Sequence, residues 1–288
     1  MQKNCTSILN CTEKKNILFA KNGYEIFECE KCSQKFSEIK DFKNHVSNVY
    51  SDEYFFEGKA GYPNYLNEKD ILYKYGIEYA KIISKFATPG KVLNVGCAAG
   101  FILKGFVDSG WQAKGIEPND TMASYGRNEL KLNIITGTLE NFESDEKFDL
   151  INLIQVIGHF PDLDKAMLKL QELIKERGFI LVESWNMRSA IAQLMGKNWH
   201  EYSPPSVIHW FSDKTLNDLF RSYGFEFISK GFPPKKINVR HALSLIEEKT
   251  FNFIFKKKFF RYLNHLFGKY NMNYPPLDLK WYLFKRMQ

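Results

Sequence analysis

The feature that most limits what this chain can fold into is an apolar strand that runs straight into a loop of very small side chains. Residues 91–100 read Lys-Val-Leu-Asn-Val-Gly-Cys-Ala-Ala-Gly. An apolar, amphipathic segment at 101–108 follows at once, so the pattern is buried strand, tight turn and helix start. Such a turn lets a ligand press against bare backbone N–H groups, and the helix start favours polar or negative groups. Nucleotide-like cofactors bind in that setting. The spacing is Gly96-x-x-x-Gly100 with Ala98 between, which is not the Gly-x-Gly-x-x-Gly of dinucleotide dehydrogenases.

Further apolar runs at 112–116, 133–136, 148–154, 179–183 and 225–229 read as strands. Helical patterns at 69–88, 120–130, 162–175 and 215–223 separate them, with Asn67 as a cap for the first. Alternation of this kind implies an α/β, doubly wound, mostly parallel sheet with helices on both faces. Glu117 ends the second strand of the alternating part and is followed by Pro118 and Asn119. A carboxylate there sits beside the loop after the first strand and can accept hydrogen bonds from both hydroxyls of a ribose.

The small-residue loop, the two strands and this acid together resemble the class I S-adenosylmethionine (SAM)-dependent methyltransferases. Their usual first motif is acid-x-Gly-x-Gly-x-Gly; here Asn94 replaces the acid and Ala98 the middle glycine. The resemblance implies a seven-stranded Rossmann-like sheet closed by an antiparallel hairpin, with 281–285 as its last strand. It implies SAM held by Asn94, Gly96, Cys97, Ala98, Gly100 and Glu117, with Leu139 over the adenine and Gln155 near the methionine part. Cys97 also reads as a small packing residue. After the fourth strand, Gln155-Val-Ile-Gly-His159 stands where the family often has Asp-Val-Leu-Glu-His. His159 is either a cap for the next helix or a catalytic group.

Methyl transfer is an in-line displacement, so the protein must supply alignment and, for a hydroxyl acceptor, a base. The densest cluster of such chemistry lies at 196–211, Gly-Lys-Asn-Trp-His-Glu-Tyr-Ser-Pro-Pro-Ser-Val-Ile-His-Trp-Phe. His200 and His209 are the preferred base candidates, since an ordinary imidazole titrates near pH 6.5. Trp199, Tyr202 and Trp210 offer flat surfaces for a sugar ring, or else form the loop's own core. The stretch resembles the Trp…Pro-Pro…His…Phe-Ser…Thr-Leu segment of bacterial methyltransferases that begin with cysteine pairs and a Tyr-Phe-x-Gly connector. Several of those modify sugars or surface polysaccharides. Pro-Pro pairs occur here at 204–205, 233–234 and 275–276, and none follows the fourth strand, where base-methylating enzymes carry Asp/Asn-Pro-Pro-aromatic. Nucleic-acid bases are therefore a poor fit as acceptors.

Of the five cysteines, Cys5, Cys11, Cys29 and Cys32 fall in the first 32 residues. Cys29-Glu-Lys-Cys32 has zinc-knuckle spacing, whereas Cys5 and Cys11 stand too far apart for one, so structural zinc and a degenerate zinc-ribbon-like remnant both stay open. Lys21-Asn22-Gly23 reads as a hairpin turn between the pairs. The expected organisation is a cysteine-bearing module at 1–46, a connector and helix at 47–90, and a SAM-binding domain at 91–288 with a helical insertion at 241–270. That insertion interleaves lysines with phenylalanines, which suits packing over the sheet edge or contact with a membrane surface. The net charge of +7 is concentrated late and decides nothing by itself. No apolar run is long enough to cross a bilayer and the start lacks a signal-peptide pattern, so a cytoplasmic protein is expected. The reading is a SAM-dependent methyltransferase acting on a hydroxyl of a sugar, surface-glycan precursor or other small molecule. The alternatives are a SAM-binding scaffold without turnover and an RNA ribose methyltransferase.

Overall fold

The computed structural model describes residues 14–39, 41–42, 44–57, 64–233, 236–238, 271–273 and 277–287. The chain divides into two units, Met1–Pro233 with Leu277–Gln288, and Pro234–Pro276. The first unit begins with strands β1 (Lys15–Lys21), β2 (Tyr24–Cys29) and β3 (Lys35–Ser37), short helices α1 (His45–Val49) and α2 (Asp52–Phe56), and helix α3 (Lys69–Ile83). Alternation follows: β4 (Lys91–Val95), α4 (Phe101–Asp108), β5 (Gln112–Glu117), α5 (Asp120–Asn128), β6 (Asn133–Thr136), β7 (Phe148–Ile154), α6 (Leu163–Leu173) and β8 (Ile174–Trp185). After α7 (Ala190–Met195) come β9 (His209–Trp210), α8 (Asp213–Ser222) and β10 (Phe225–Gly231). The described part of the second unit is an antiparallel pair, β11 (Lys236–Asn238) with β12 (Asn271–Asn273). Strand β13 (Leu279–Arg286) belongs to the first unit.

Seven strands form the main sheet in the order β10-β13-β8-β7-β4-β5-β6. Strands β8, β7, β4, β5 and β6 pair in parallel, while β13 runs antiparallel to both β8 and β10. The central strands read as near-continuous apolar runs because both faces are covered. Leu93 and Val95 pack with residues of α6 and α8 on one face. Val92, one residue out of step with them, packs with Tyr75, Tyr79 and Phe106 from α3 and α4 on the other.

A second sheet of four strands, β1-β2-β3-β9, reaches from the N-terminal hairpin to the loop that follows β8. The hairpin turns through Asn22 and Gly23, both at positive φ, as an Asn-Gly turn requires. Strand β3 pairs with β9 through Lys35↔Trp210 and Phe36↔His209, and Ser37 N donates to Ile208 O, so residues 35–37 brace residues 208–210 directly.

Some local expectations need correction. Asn67 caps nothing: Asn64 accepts from Leu66 N at 3.1 Å and caps a 3-10 turn at Tyr65–Glu68 that leads into α3. Helix α6 stops at Leu173, because Ile174 already pairs with Phe148. Cys5, Cys11 and the expected insertion at 241–270 lie outside the described residues. Among the described residues no helix is long and apolar enough to cross a membrane.

Helices α3 and α4 cross on two glycines. A Cβ at Gly105 would stand 2.6 Å from Tyr73 O and 2.7 Å from Gly76 Cα, contacts with rigid backbone. Gly105→Ala should therefore destabilise the protein by about 2 kcal/mol or more in chemical denaturation, although alanine gains about 1 kcal/mol of intrinsic helix propensity.

Candidate functional site

Strands β4 and β5 end side by side, and their C-terminal loops build a cradle. Gly96, Ala98 and Gly100 all take positive φ, at 63°, 47° and 84°. That turn reverses the chain from β4 into α4, and it is closed by Gly100 N donating to Cys97 O at 2.8 Å. A side chain at Gly96 would collide with Val156, and one at Gly100 with Leu132 and Ile134. Cys97 is a packing residue whose Sγ fills the space above Gly115, and burial pushes its thiol well up. Ala98, where the resembling family has glycine, keeps the left-handed geometry and so carries its strain.

Glu117 is the polar centre of the cradle. Its Oε2 accepts from Ala98 N at 2.8 Å and its Oε1 from Asn119 N at 2.9 Å. The side chain is buried, and burial raises its pKa to about 7 against the pull of those two N–H groups. A carboxylate oxygen has two lone pairs, so each retains one for a ligand hydroxyl. The following loop adds Gly137, where an added Cβ meets no atom within 4 Å, and the fully buried Leu139. A ribose-bearing cofactor fits these residues: a buried carboxylate for two hydroxyls, bare backbone around it, and open space next to Gly137. Asn94 lies buried beneath, level with Asn152 of β7. Asn119 ties the cradle to the connector by donating from Nδ2 to Tyr50 O at 3.1 Å and to Asp52 Oδ1 at 2.9 Å.

Beyond β7 and β8 lies a small surface cleft. Its lining includes Gln155, Gly158, His159, Glu183, Trp185, Glu201, His209 and Trp210. His209 is buried, and its Nε2 donates to Phe160 O at 3.1 Å. That bond fixes the proton on Nε2 and leaves Nδ1 as a bare acceptor, which has no partner within the protein. Burial lowers the pKa of His209 to about 4. His159 is held differently. Tyr50 spends its one hydroxyl proton on Ser206 O at 2.8 Å, so its oxygen accepts from His159 Nδ1 at 2.7 Å. Burial brings this imidazole to about 4 as well.

The remaining expected residues separate. His159 does not cap α6; Asp162 does, accepting from Lys165 N at 2.9 Å. His200 is exposed, edge-on to Trp185 with ring centroids 4.5 Å apart, and is absent from the cleft lining. Trp199 and Tyr202 belong to a buried cluster with Ile26, Met187 and Val207; Trp199 Nε1 donates to Asp278 Oδ2 at 2.9 Å. They form the loop's core, while Trp210 belongs to both core and cleft. Cys29 and Cys32 flank a turn in which Ser33 N donates to Cys29 O at 2.9 Å. Among the described residues no group of three or more metal-ligating side chains comes together.

Sequence reasoning missed Glu183, Tyr50 and the role of Gly158. Glu183 had a readable signal, an ionisable residue directly after the apolar run 179–182. Tyr50 had none. At Gly158 a Cβ would stand 2.8 Å from His209 O, so the missing side chain is what lets β9 settle against residues 157–159. Ile208 N completes that contact by donating to Gly158 O at 2.9 Å.

Comparison with known proteins gives a consistent likeness. A family model described as a methyltransferase domain matches residues 71–230. The ubiquinone biosynthesis O-methyltransferase of Rickettsia bellii (strain OSU 85-389) is 28% identical over 179 residues, covering 55% of this chain and 73% of that protein. The protein of the same name from Rickettsia typhi is 27% identical over 210 residues, covering 66% and 82%. In fold, the chain resembles magnesium protoporphyrin IX methyltransferase from Synechocystis, solved with bound S-adenosylhomocysteine, at a TM-score of 0.53 and 11% identity over 83% of this chain and 99% of that one.

The strain at Ala98 is measurable. Ala98→Gly removes a Cβ from a left-handed residue and should raise the unfolding free energy by about 1 kcal/mol, read as a higher denaturation midpoint. An unchanged or lowered midpoint would show that the loop is not strained at this residue.

Proposed function

This chain belongs to the methyltransferase-domain family, whose model spans more than half of it, and from that premise we propose that it methylates a hydroxyl of a small acceptor with His209 as the base. SAM supplies the methyl group and the leaving thioether. Everything else falls to the chain's own residues. Glu117 takes the ribose hydroxyls, the backbone of 96–100 borders the cofactor, and Gln155 lies at the seam between cofactor and acceptor.

The observation that carries the reading is the bare Nδ1 of His209, buried on a residue of the cleft wall with its partner nitrogen fixed by Phe160. An imidazole titrating near 4 is neutral at physiological pH and so ready to accept a proton. Its weak basicity suffices, because a hydroxyl becomes far more acidic as its oxygen bonds to the methyl carbon. His159 has its Nδ1 proton engaged by Tyr50 and reads as the group that holds the wall in place. For the acceptor, the loop segment at 196–211 speaks for a sugar, and the relatives' names speak for ubiquinone biosynthesis. A hydroxyl is what both share.

Two measurements test this. In calorimetric titration, S-adenosylhomocysteine should bind at micromolar concentration and Glu117→Ala should abolish binding. Affinity should fall as pH drops below about 7, by up to about tenfold per unit, because a protonated Glu117 must lose its proton to accept two hydroxyls. Affinity independent of pH between 5.5 and 8 would remove Glu117 from the ribose. His209→Ala should bind S-adenosylhomocysteine normally yet lose about 100-fold in turnover on hydroxylated ring or sugar acceptors. With saturating cofactor, wild-type turnover should persist until pH approaches 4. A near-normal rate in His209→Ala would eliminate this base.

A further inference from the structure

Glu183 has no part in the scheme above, yet it is the most conspicuous group in the central sheet. It follows Phe-Ile-Leu-Val near the C-terminal end of β8, is buried, and lines the cleft. A carboxylate is the least economical side chain to bury there unless its hydrogen bonds are specific. They are. Tyr79, from the middle of α3, donates its hydroxyl to Glu183 Oε2. Gln155 donates from Nε2 to Glu183 Oε1 at 2.7 Å, and from its backbone N to Glu183 O at 3.0 Å.

Gln155 needs that grip. It stands just beyond β7 with φ at 56°, a left-handed conformation that a side-chain-bearing residue adopts only when its surroundings impose it. Its carboxamide has a donor end and an acceptor end that differ little in shape. A carboxylate accepts and cannot donate, so Glu183 selects one of the two amide orientations. A neutral amide at residue 183 could satisfy either.

We propose that Glu183 is a positioning residue: anchored by Tyr79, it holds the backbone of Gln155 in its left-handed turn and fixes the carboxamide with nitrogen inward, leaving the amide oxygen for the ligands of the cleft. The proposal rests on the methyltransferase reading, since it concerns how Gln155 meets cofactor and acceptor. It also explains why a carboxyl group is buried near the C-terminal end of β8: it specifies a direction that shape alone cannot.

The test is a double-mutant cycle read by calorimetric binding of S-adenosylhomocysteine to the full chain. Glu183→Gln and Gln155→Ala should each weaken binding about tenfold, and the double variant should be no weaker than Gln155→Ala alone, because one acts through the other. Additive losses, or a folded Glu183→Gln that binds like wild type, overturn the proposal. Should Glu183→Gln fail to fold, Gln155→Glu replaces it. That variant opposes two carboxylates at pH 8 and regains a donor once one of them is protonated. Its deficit relative to wild type should therefore be large at pH 8 and close by pH 5.5; a constant deficit overturns the proposal. A wild type that binds no S-adenosylhomocysteine defeats the cofactor reading together with this one, whereas an intact wild type beside an indifferent Glu183→Gln defeats this one alone.

Discussion

Burial of the main sheet on both faces is the constraint from which the rest of the molecule follows. With α3 and α4 on one side and α6 and α8 on the other, β4, β7 and β8 have no wet face, and chemistry is pushed to their C-terminal ends. Polar side chains that enter the sheet are few and sit near those ends: Asn94, Glu117, Asn152 and Glu183 are all buried. Each is costly by the same physics. Where partners are seen, they lead to the cradle or the cleft: Glu117 to the backbone of the loop after β4, Glu183 to Gln155.

The cleft has a second architect. Residues 208–210 would be an unsupported stretch of loop without β3, and the pairing of Phe36 with His209 makes them the edge of a small antiparallel sheet. Gly158 provides the seat from below, through contact of its backbone with Ile208 and His209. The N-terminal hairpin and the glycine are far apart in sequence and act on the same rung. Together they convert a histidine on a long connection into one held on rigid elements. Trp199, Tyr202 and Trp210 serve this bracing by filling the space between hairpin and loop.

Which parts of this were legible in sequence follows from the range of the forces involved. The order of strands and helices is local, set by periodicity and by small residues at turns, and β4 to β7 could be read within a residue of their observed ends, whereas β8 was read only from Phe179 because its charged start, 175–177, hides the strand pattern. Glu117 was legible because strand order in a doubly wound sheet dictates its neighbours. His209 could be named but not distinguished from His200, since the difference between them is tertiary: one is buried on a β-rung and the other is exposed beside Trp185. Asn67 failed as a cap because the chain already turns as a 3-10 helix from Tyr65, capped by Asn64, and His159 failed because Asp162 stands directly before Leu163. The β3–β9 pairing spans more than 170 residues and left no pattern in the sequence that a short window could reveal.

The two buried imidazoles show why a titration value alone does not assign a role. Burial brings both to about 4, so both are neutral over the same range of pH, and nothing in their charge distinguishes them. Their hydrogen bonds do. His159 gives its Nδ1 proton to a tyrosine from the connector, which links residues 50, 159 and 206 into one brace. His209 gives its Nε2 proton to a backbone carbonyl and leaves Nδ1 buried without a partner. The same side chain in the same dielectric is thus a tie in one place and keeps an unpaired nitrogen in the other, because the bond each ring makes decides which of its nitrogens carries the proton. Glu183 and Gln155 repeat the principle with an amide. In both cases a buried polar contact fixes the direction of a hydrogen bond, which is the kind of order that an aligned methyl transfer would need.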